Sequence, residues 1–272
     1  MKTILVGCGE WGFRELPMER HFEIARDFGF RYLEFGIGGD QPGRLPIRLT
    51  DRDIGVFRQL GERYQIKTPF CCLENDFTKT DARAALDQIL LAKKCGATHV
   101  RLFVGFTPAA EMTEALWRQV REAFAQCAKL GLTIAIETHG QITMKDGAAH
   151  HVHTASTDPA CLQRLLKELP SSVGFNFDPG NLKAVAPADT SYCLDLLNDR
   201  INYCHLKDWR RKGAGWEAVA AGDDDLDYAS LLPHLKFAGP YLIEYEPTGD
   251  IGDGIRRSLD YLKRLGYQLR FE

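Results

Sequence analysis

The sequence predicts a single (β/α)8 barrel of the TIM type, and three observations carry that prediction. Eight short strand-like runs recur along the 272 residues, each followed by a segment of helical periodicity. No Pro/Ser linker or shift in composition divides the chain. In the later strands one face is small and polar while the other is bulky, as expected where a barrel's outer side packs on helices. Eight units of roughly 30 residues fill one such barrel. Residues 1–272 are therefore expected to form one domain, with its site at the carboxyl ends of the strands.

Taken in order, the strands are expected at 3–7, 32–35, 67–72, 99–104, 132–137, 173–178, 202–206 and 241–245. Between them, Ala85, Ile89 and Ala92 form an apolar stripe that predicts a helix over 82–94. Leu116, Val120, Phe124 and Cys127 do the same for 111–130. Pro17 and Pro159 suit first-turn positions, with Asp158 as a cap, and Gly29, Gly96, Gly131 and Gly266 suit helix stops. In the fifth strand Thr133, Ala135 and Glu137 share a face, and in the sixth Gly174, Asn176 and Asp178 do. Glu137 and Asp178 are thus expected to point into the barrel at its top.

Composition narrows the function. The chain is 44% apolar and 26% charged, ordinary for a soluble globular protein. A net charge of −3, with Arg210-Arg211-Lys212 as its longest basic run, argues against nucleic acid as a partner. No apolar stretch is long enough for a membrane helix, and the first residues do not read as a signal peptide. The eight cysteines contain no CxxC pair and are read as small buried residues in a reducing compartment, with the cytoplasm expected.

Glu137, Asp178, His205 and Glu244 each stand where an apolar run ends. Three carboxylates gathered in a dry barrel would repel one another, and a divalent cation relieves that conflict. Oxygen donors with one imidazole suit Mn²⁺, Mg²⁺ or Co²⁺, with Zn²⁺ a further candidate. The competing reading makes these acids ordinary ion pairs, with Lys207 or Arg101 as partner. Glu246 shares a face with Glu244 and is the minor candidate for the same role.

The stretches Glu137-Thr138-His139, Phe177-Asp178-Pro179-Gly180-Asn181, His205-Leu206-Lys207-Asp208 and Ile243-Glu244-Tyr245-Glu246 resemble signatures of the xylose isomerase-like TIM barrels. The likeness is closest to the sugar phosphate isomerase/epimerase group, with its ketose 3-epimerases, inosose dehydratases and hydroxypyruvate isomerases. It implies that Glu137 and Glu244 both hold the metal and act as an acid/base pair, while Asp178 and His205 complete the coordination. Asn181 stands where many epimerases place a substrate-binding histidine. His139 resembles the histidine of the Glu-x-His element in 3-dehydroshikimate dehydratases of the same superfamily.

The expected reaction removes a proton beside a ketone, with a metal stabilising the resulting enediolate. Returning a proton gives isomerisation or epimerisation, with Glu137 and Glu244 working together. Loss of a neighbouring hydroxyl gives dehydration, with His139 as acid or as an orienting hydrogen-bonder. The expected substrate is a small sugar or polyol derivative, uncharged or carboxylated, because Asp250 and Asp253 follow the eighth strand where a phosphate would otherwise bind. Lys207, Arg210 and Glu246 are candidate substrate contacts. So are Trp11, with Phe106, Trp209 and Trp216 in the same top-side loops, and His153 of the His150, His151, His153 group. Assembly into a homo-oligomer is left open.

Three rivals remain. Gly7-Cys8-Gly9-Glu10-Trp11-Gly12 reads G-x-G-x-x-G after a strand, with Glu34 near the ribose-binding spacing, which suits an NAD-dependent oxidoreductase. Against that, Pro17 delays the following helix. An abasic-site endonuclease of the same superfamily would need further metal ligands, and the third strand ends in Phe70-Cys71-Cys72-Leu73. A non-catalytic sugar-binding barrel would keep the shape without the exchange chemistry.

Overall fold

A computed structural model describes residues 2–189 and 191–272. In chain order the main elements begin with β1 (Lys2–Cys8), α1 (Met18–Asp27), β2 (Tyr32–Ile37), α2 (Asp51–Tyr64), β3 (Lys67–Leu73) and α3 (Arg83–Cys95). Then come β4 (His99–Leu102), α4 (Glu114–Cys127), β5 (Thr133–Glu137), β6 (Gln141–Lys145), β7 (Ala148–Val152), α5 (Pro159–Glu168) and β8 (Val173–Phe177). The remainder are α6 (Pro179–Val185), α7 (Leu194–Leu197), β9 (Ile201–Leu206), β10 (Asp208–Lys212), β11 (Gly215–Val219), α8 (Tyr228–Leu231), β12 (Tyr241–Ile243), α9 (Ile251–Arg264) and β13 (Tyr267–Arg270).

Eight parallel strands close the barrel in the order β1, β2, β3, β4, β5, β8, β9, β12, and the seam is β12 on β1. Val6, Gly7 and Cys8 pair there with Tyr241, Leu242 and Ile243. The lower half of β1 does something else: Lys2 to Leu5 pair with Tyr267 to Arg270 of β13. The eight strands coincide with the eight expected runs, give or take a residue or two at each end. Outward side chains such as Phe35, Val100, Ile134 and Phe175 join Phe22, Phe57, Ile89, Phe124 and Leu259 of the helices in one core. Phe70, Ala135, Tyr203 and Leu242 form a separate apolar cluster. These four are the plug of the lumen, and the polar residues sit above it.

Local chemistry explains the helix ends. The Asp158 side chain accepts from the Cys161 N–H with Pro159 in the first turn, as expected. Gly29, Gly96, Gly131 and Gly266 all have positive φ at the stops assigned to them. Helix α4 is shorter than 111–130, because three-residue 3-10 turns take up 109–111 and 128–130. Among the described residues no helix is long and apolar enough to cross a membrane. All eight cysteines are free, and only Cys161 and Cys193 are not buried.

The structure adds a second, antiparallel sheet that the sequence reading treated as loops. Hairpins β6–β7 and β10–β11, which follow barrel strands β5 and β9, join through Trp216 and Ala149. Trp209, Trp216, Ala149 and Ala184 form its small core. The sheet roofs one side of the barrel top.

Candidate active site

Glu137 ends β5, Asp178 caps α6 directly after β8, His205 lies in β9, and Glu244 follows β12. One ligand atom from each of these four buried residues lies within 4.8 Å of all the others. His205 Nδ1 is 3.4 Å from Glu244 Oε2 and 3.8 Å from both Glu137 Oε1 and Asp178 Oδ2. Its other ring nitrogen, Nε2, is 3.0 Å from Glu34 Oε1, and the Tyr203 hydroxyl donates to the same oxygen. Sequence reasoning missed Glu34 as part of this site. It was weighed only as a ribose contact, although its spacing from Leu33 and Phe35 already gave it the inward face of β2.

Each carboxylate is held from behind. Asp178 Oδ1 accepts from the Asn181 backbone N–H at 2.9 Å, so the helix cap fixes the side chain and leaves Oδ2 facing the cluster. The Asp178 N–H donates to Thr138 Oγ1 at 2.9 Å, which locks the ends of β5 and β8 together. Arg101 Nε lies 2.8 Å from Glu137 Oε2. Lys207 Nζ lies 2.9 Å from Glu244 Oε2, 3.3 Å from Asp178 Oδ2 and 2.5 Å from Glu246 Oε1.

The ion-pair reading is therefore correct as far as it goes, but its fixed cations leave the cluster short of positive charge, and against burial the carboxylates Glu244 and Glu34 raise the His205 pKa well above its ordinary value. Glu34, Glu137, Asp178 and Glu244 are four buried carboxylates, and Arg101 and Lys207 are the two buried side chains of fixed positive charge that meet them. Glu137 Oε2 meets Arg101 Nε only outside hydrogen-bond geometry, and Asp178 Oδ2 has the Lys207 ammonium at 3.3 Å and no closer partner. Such oxygens are costly when dry. Three carboxylates and one imidazole with spare lone pairs fit a divalent cation of the harder kind. Burial, with Glu137 and Asp178 nearby, lifts the Glu244 carboxyl to about 7 against the pull of His205 and Lys207. Burial acts on Glu137 as well, but Arg101 and His205 outweigh it and hold that carboxyl below the usual range.

Above the cluster opens a cavity of about 640 Å³. Trp11, Phe103, Phe106 and Ile142 give it apolar walls, and Glu137, Glu244, Glu246, Lys207 and His139 project into it. Asp178 and His205 lie beneath, fully buried. Burial lowers the His139 pKa below its ordinary value, and its Nδ1 has no partner. Its ring stands edge-on to Phe103 and Phe106 at 5.2 and 5.7 Å.

Three candidate substrate contacts lie elsewhere. Asn181 is buried beneath the cavity, donating to Glu137 Oε1 at 3.4 Å and accepting from Trp209 Nε1 at 3.2 Å. It positions a cluster carboxylate. Arg210 points outward on the edge strand β10, where Glu217 takes its guanidinium at 2.9 Å. His153 follows β7 and pairs with Thr157 Oγ1 at 3.3 Å, because strand alternation turns the histidine group apart instead of gathering it. Trp209 and Trp216 are absorbed by the roof's core.

The glycine series at the first loop also has a different use. A Cβ on Gly9 would sit 3.0 Å from the Ile243 carbonyl, and one on Gly12 would run into that of Tyr245. These glycines let the first loop lie against the end of β12. Only a 3-10 turn at Trp11–Phe13 follows, and α1 starts at Met18, so no helix N-terminus faces the motif. Glu34 is committed to the lumen.

The fold and site thus define a closed (β/α)8 barrel with a buried carboxylate–imidazole cluster, able to hold a metal ion, at the carboxyl ends of its strands. The chain belongs to the xylose isomerase-like TIM barrel family, whose pattern matches residues 22–265. No curated protein matches the sequence. Among solved structures, a D-tagatose 3-epimerase-like protein is similar at 17% identity and TM-score 0.68, over 97% of both chains. A probable 3-DHS dehydratase, AsbF, from Bacillus anthracis is similar at 15% identity and TM-score 0.70, over 97% of this chain and 99% of that one. A xylose isomerase-like TIM barrel protein from Mycobacterium smegmatis, in complex with magnesium, is similar at 16% identity and TM-score 0.69, over 97% and 98%.

Proposed function

We propose that this barrel is a divalent-metal-dependent isomerase or epimerase of a ketose or related keto-sugar, with Glu137 and Glu244 as its acid/base pair. One observation carries the reading. Of the four clustered residues, Glu137 and Glu244 reach the cavity, whereas Asp178 and His205 only underlie it. Two carboxyl groups that both face a substrate can remove a proton and return one.

Glu137, Asp178, His205 and Glu244 would hold the ion, which when bound supplies Lewis-acid stabilisation of the charge that develops on a carbonyl oxygen. The chain's own residues do the rest. Glu137, kept ionised by Arg101, takes the proton next to the carbonyl. Glu244, the other carboxyl that reaches the cavity, delivers one to the enediolate. Lys207 balances the charge on Glu244 and Glu246, and the ring wall of Trp11, Phe103 and Phe106 excludes water. Mn²⁺, Mg²⁺ or Co²⁺ suits the donor set, and the D-tagatose 3-epimerase-like neighbour supports sugar epimerisation.

A second reading, dehydration, has its own observation in His139, whose pKa burial lowers and whose Nδ1 stands unpartnered at the cavity wall. From there it would take the proton removed beside the carbonyl and, as imidazolium, return it to the departing hydroxyl, which leaves as water. The probable dehydratase among the similar structures supports it.

Proton NMR in heavy water, with a panel of ketoses, inososes and keto-sugars and added Mn²⁺ removed before recording, separates the two. Deuterium uptake without loss of water is expected from the first reading, and an unsaturated product from the second. No exchange with any compound would end both.

A further inference from the structure

The cavity runs away from Glu137 and Glu244 toward the loops that follow β2 and β3 and the first turns of α3. At that far end the chain gathers acceptors that its own groups leave partly unused. Gln88 is 4% exposed, lines the cavity, and its Oε1 has no hydrogen-bond partner. A buried amide in that condition is costly unless a ligand completes it. A Cβ built on Gly38 would lie 3.8 Å from Glu74 Cβ and 3.9 Å from both ends of the Gln88 amide, so both side chains border the same glycine. Asp76 Oδ1 is taken by the Thr78 N–H at 3.0 Å. Asp76 Oδ2 has no hydrogen-bond partner, only the exposed Lys79 ammonium at 3.3 Å.

Charge points the same way. The cavity is lined by six carboxylates against three permanent cations. Each cation is already engaged: Arg44 with buried Glu10 and, at 3.7 Å, with Glu74, Arg101 with Glu137, and Lys207 with Glu244 and Glu246. An ion in the cluster would neutralise charge at the near end alone, and Glu74, Asp76 and Asp81 would keep the far end negative. A terminal phosphate or carboxylate there meets like charge and brings no donor. A hydroxyl can donate to Glu74 or Asp76 and exchange hydrogen bonds with the Gln88 amide.

We propose that the distal end of the cavity, formed by Glu74, Asp76 and Gln88, is a subsite for an uncharged, hydroxyl-bearing tail of the substrate that selects against a terminal anion. This rests on the keto-sugar reading above and names the half of the substrate that does not react.

The test titrates the four D-ketohexoses, each as the free sugar and as its 6-phosphate, into Mg²⁺-loaded protein by calorimetry. At least one free sugar should bind tenfold or more tightly than its phosphate. Gln88→Leu should weaken that sugar about tenfold. The double variant Glu74→Gln/Asp76→Asn, whose asparagine keeps a side-chain oxygen for the Thr78 N–H, should bring the sugar-to-phosphate ratio toward one. Equal or tighter binding of the phosphates, no binding by any free sugar, or an unchanged ratio in the double variant would each overturn the subsite. The outcomes also separate this claim from the reaction. Sugars bound with this preference that exchange no proton in heavy water would remove the isomerase and spare the subsite. Exchange on phosphates bound as tightly as the sugars would do the reverse.

Discussion

Glu34 Oε1 lies 3.0 Å from His205 Nε2, so the imidazole has one nitrogen tied to a buried carboxylate and the other turned to the cluster. A carboxylate behind a ligating histidine fixes its tautomer and orientation. Glu34→Gln should therefore weaken Mn²⁺ binding by roughly 10–100-fold, the range typical for such partners, as read by electron paramagnetic resonance. Imidazole ¹⁵N NMR of the metal-free protein should show the His205 Nε2–H signal altered. Equal affinity in the variant would reduce Glu34 to a packing role.

Asp178 divides its two oxygens between a helix and the cluster, which lets folding and metal binding be separated. Asparagine caps helices as well as aspartate does. Asp178→Asn should keep the melting temperature within a few degrees and lose most Mn²⁺ affinity. Asp178→Ala should lose that affinity and also about 1 kcal/mol of stability for the cap.

Glu137→Gln should abolish turnover while the circular dichroism spectrum stays that of the parent. Retained deuterium exchange would take this residue out of the reaction.

His21 is buried at the base of the first loop, stacked on Phe13 at 3.9 Å, and burial holds its pKa down to about 3. The unfolded chain protonates this imidazole near its ordinary value while the folded chain does not. Its contribution is thus full above the unfolded value of about 6.5 and declines as the pH falls toward 3. The slope is roughly 1.4 kcal/mol per pH unit. Urea midpoints measured down to pH 4 should fall less steeply for His21→Phe than for the parent.

Lys183 of α6 is buried against Asp208 at 2.9 Å and also meets Asp224 at 2.7 Å, so it ties the roof's β10 to the barrel. Lys183→Met leaves Asp208 buried without its partner. The expected cost is about 3–5 kcal/mol, seen as a lower urea midpoint. A loss under 1 kcal/mol would mean that Asp208 finds another partner or a proton.

Much of this was legible in the chain because barrel strands carry their message locally. Apolar runs ending in Glu137, Asp178, His205 and Glu244 required only a period of two and a fixed hand to converge. What escaped was information held between distant residues. The pairing of Trp216 with Ala149 joins hairpins 67 positions apart, and no single window contains it. One cue was present and overlooked: Asp146-Gly147, both at positive φ, is a hairpin turn signal between alternating residues. Reading 150–153 as a loop followed from that omission. Arg210 was misplaced for a related reason, since a strand edge sends alternate side chains away from whatever lies above the barrel.

The four-stranded roof spans the loops after β5 and β9, yet of its residues only Ile142 lines the cavity. Nearly all the remaining upper lining comes from the turns after β1 to β4 and from α3. The barrel mouth is therefore lopsided, shuttered over one half and open over the other. On the open half the exposed lining residues Ile47, Glu74, Thr80 and Asp81 bring the cavity to solvent, with Trp11 and Phe106 as half-buried walls between them and the cluster.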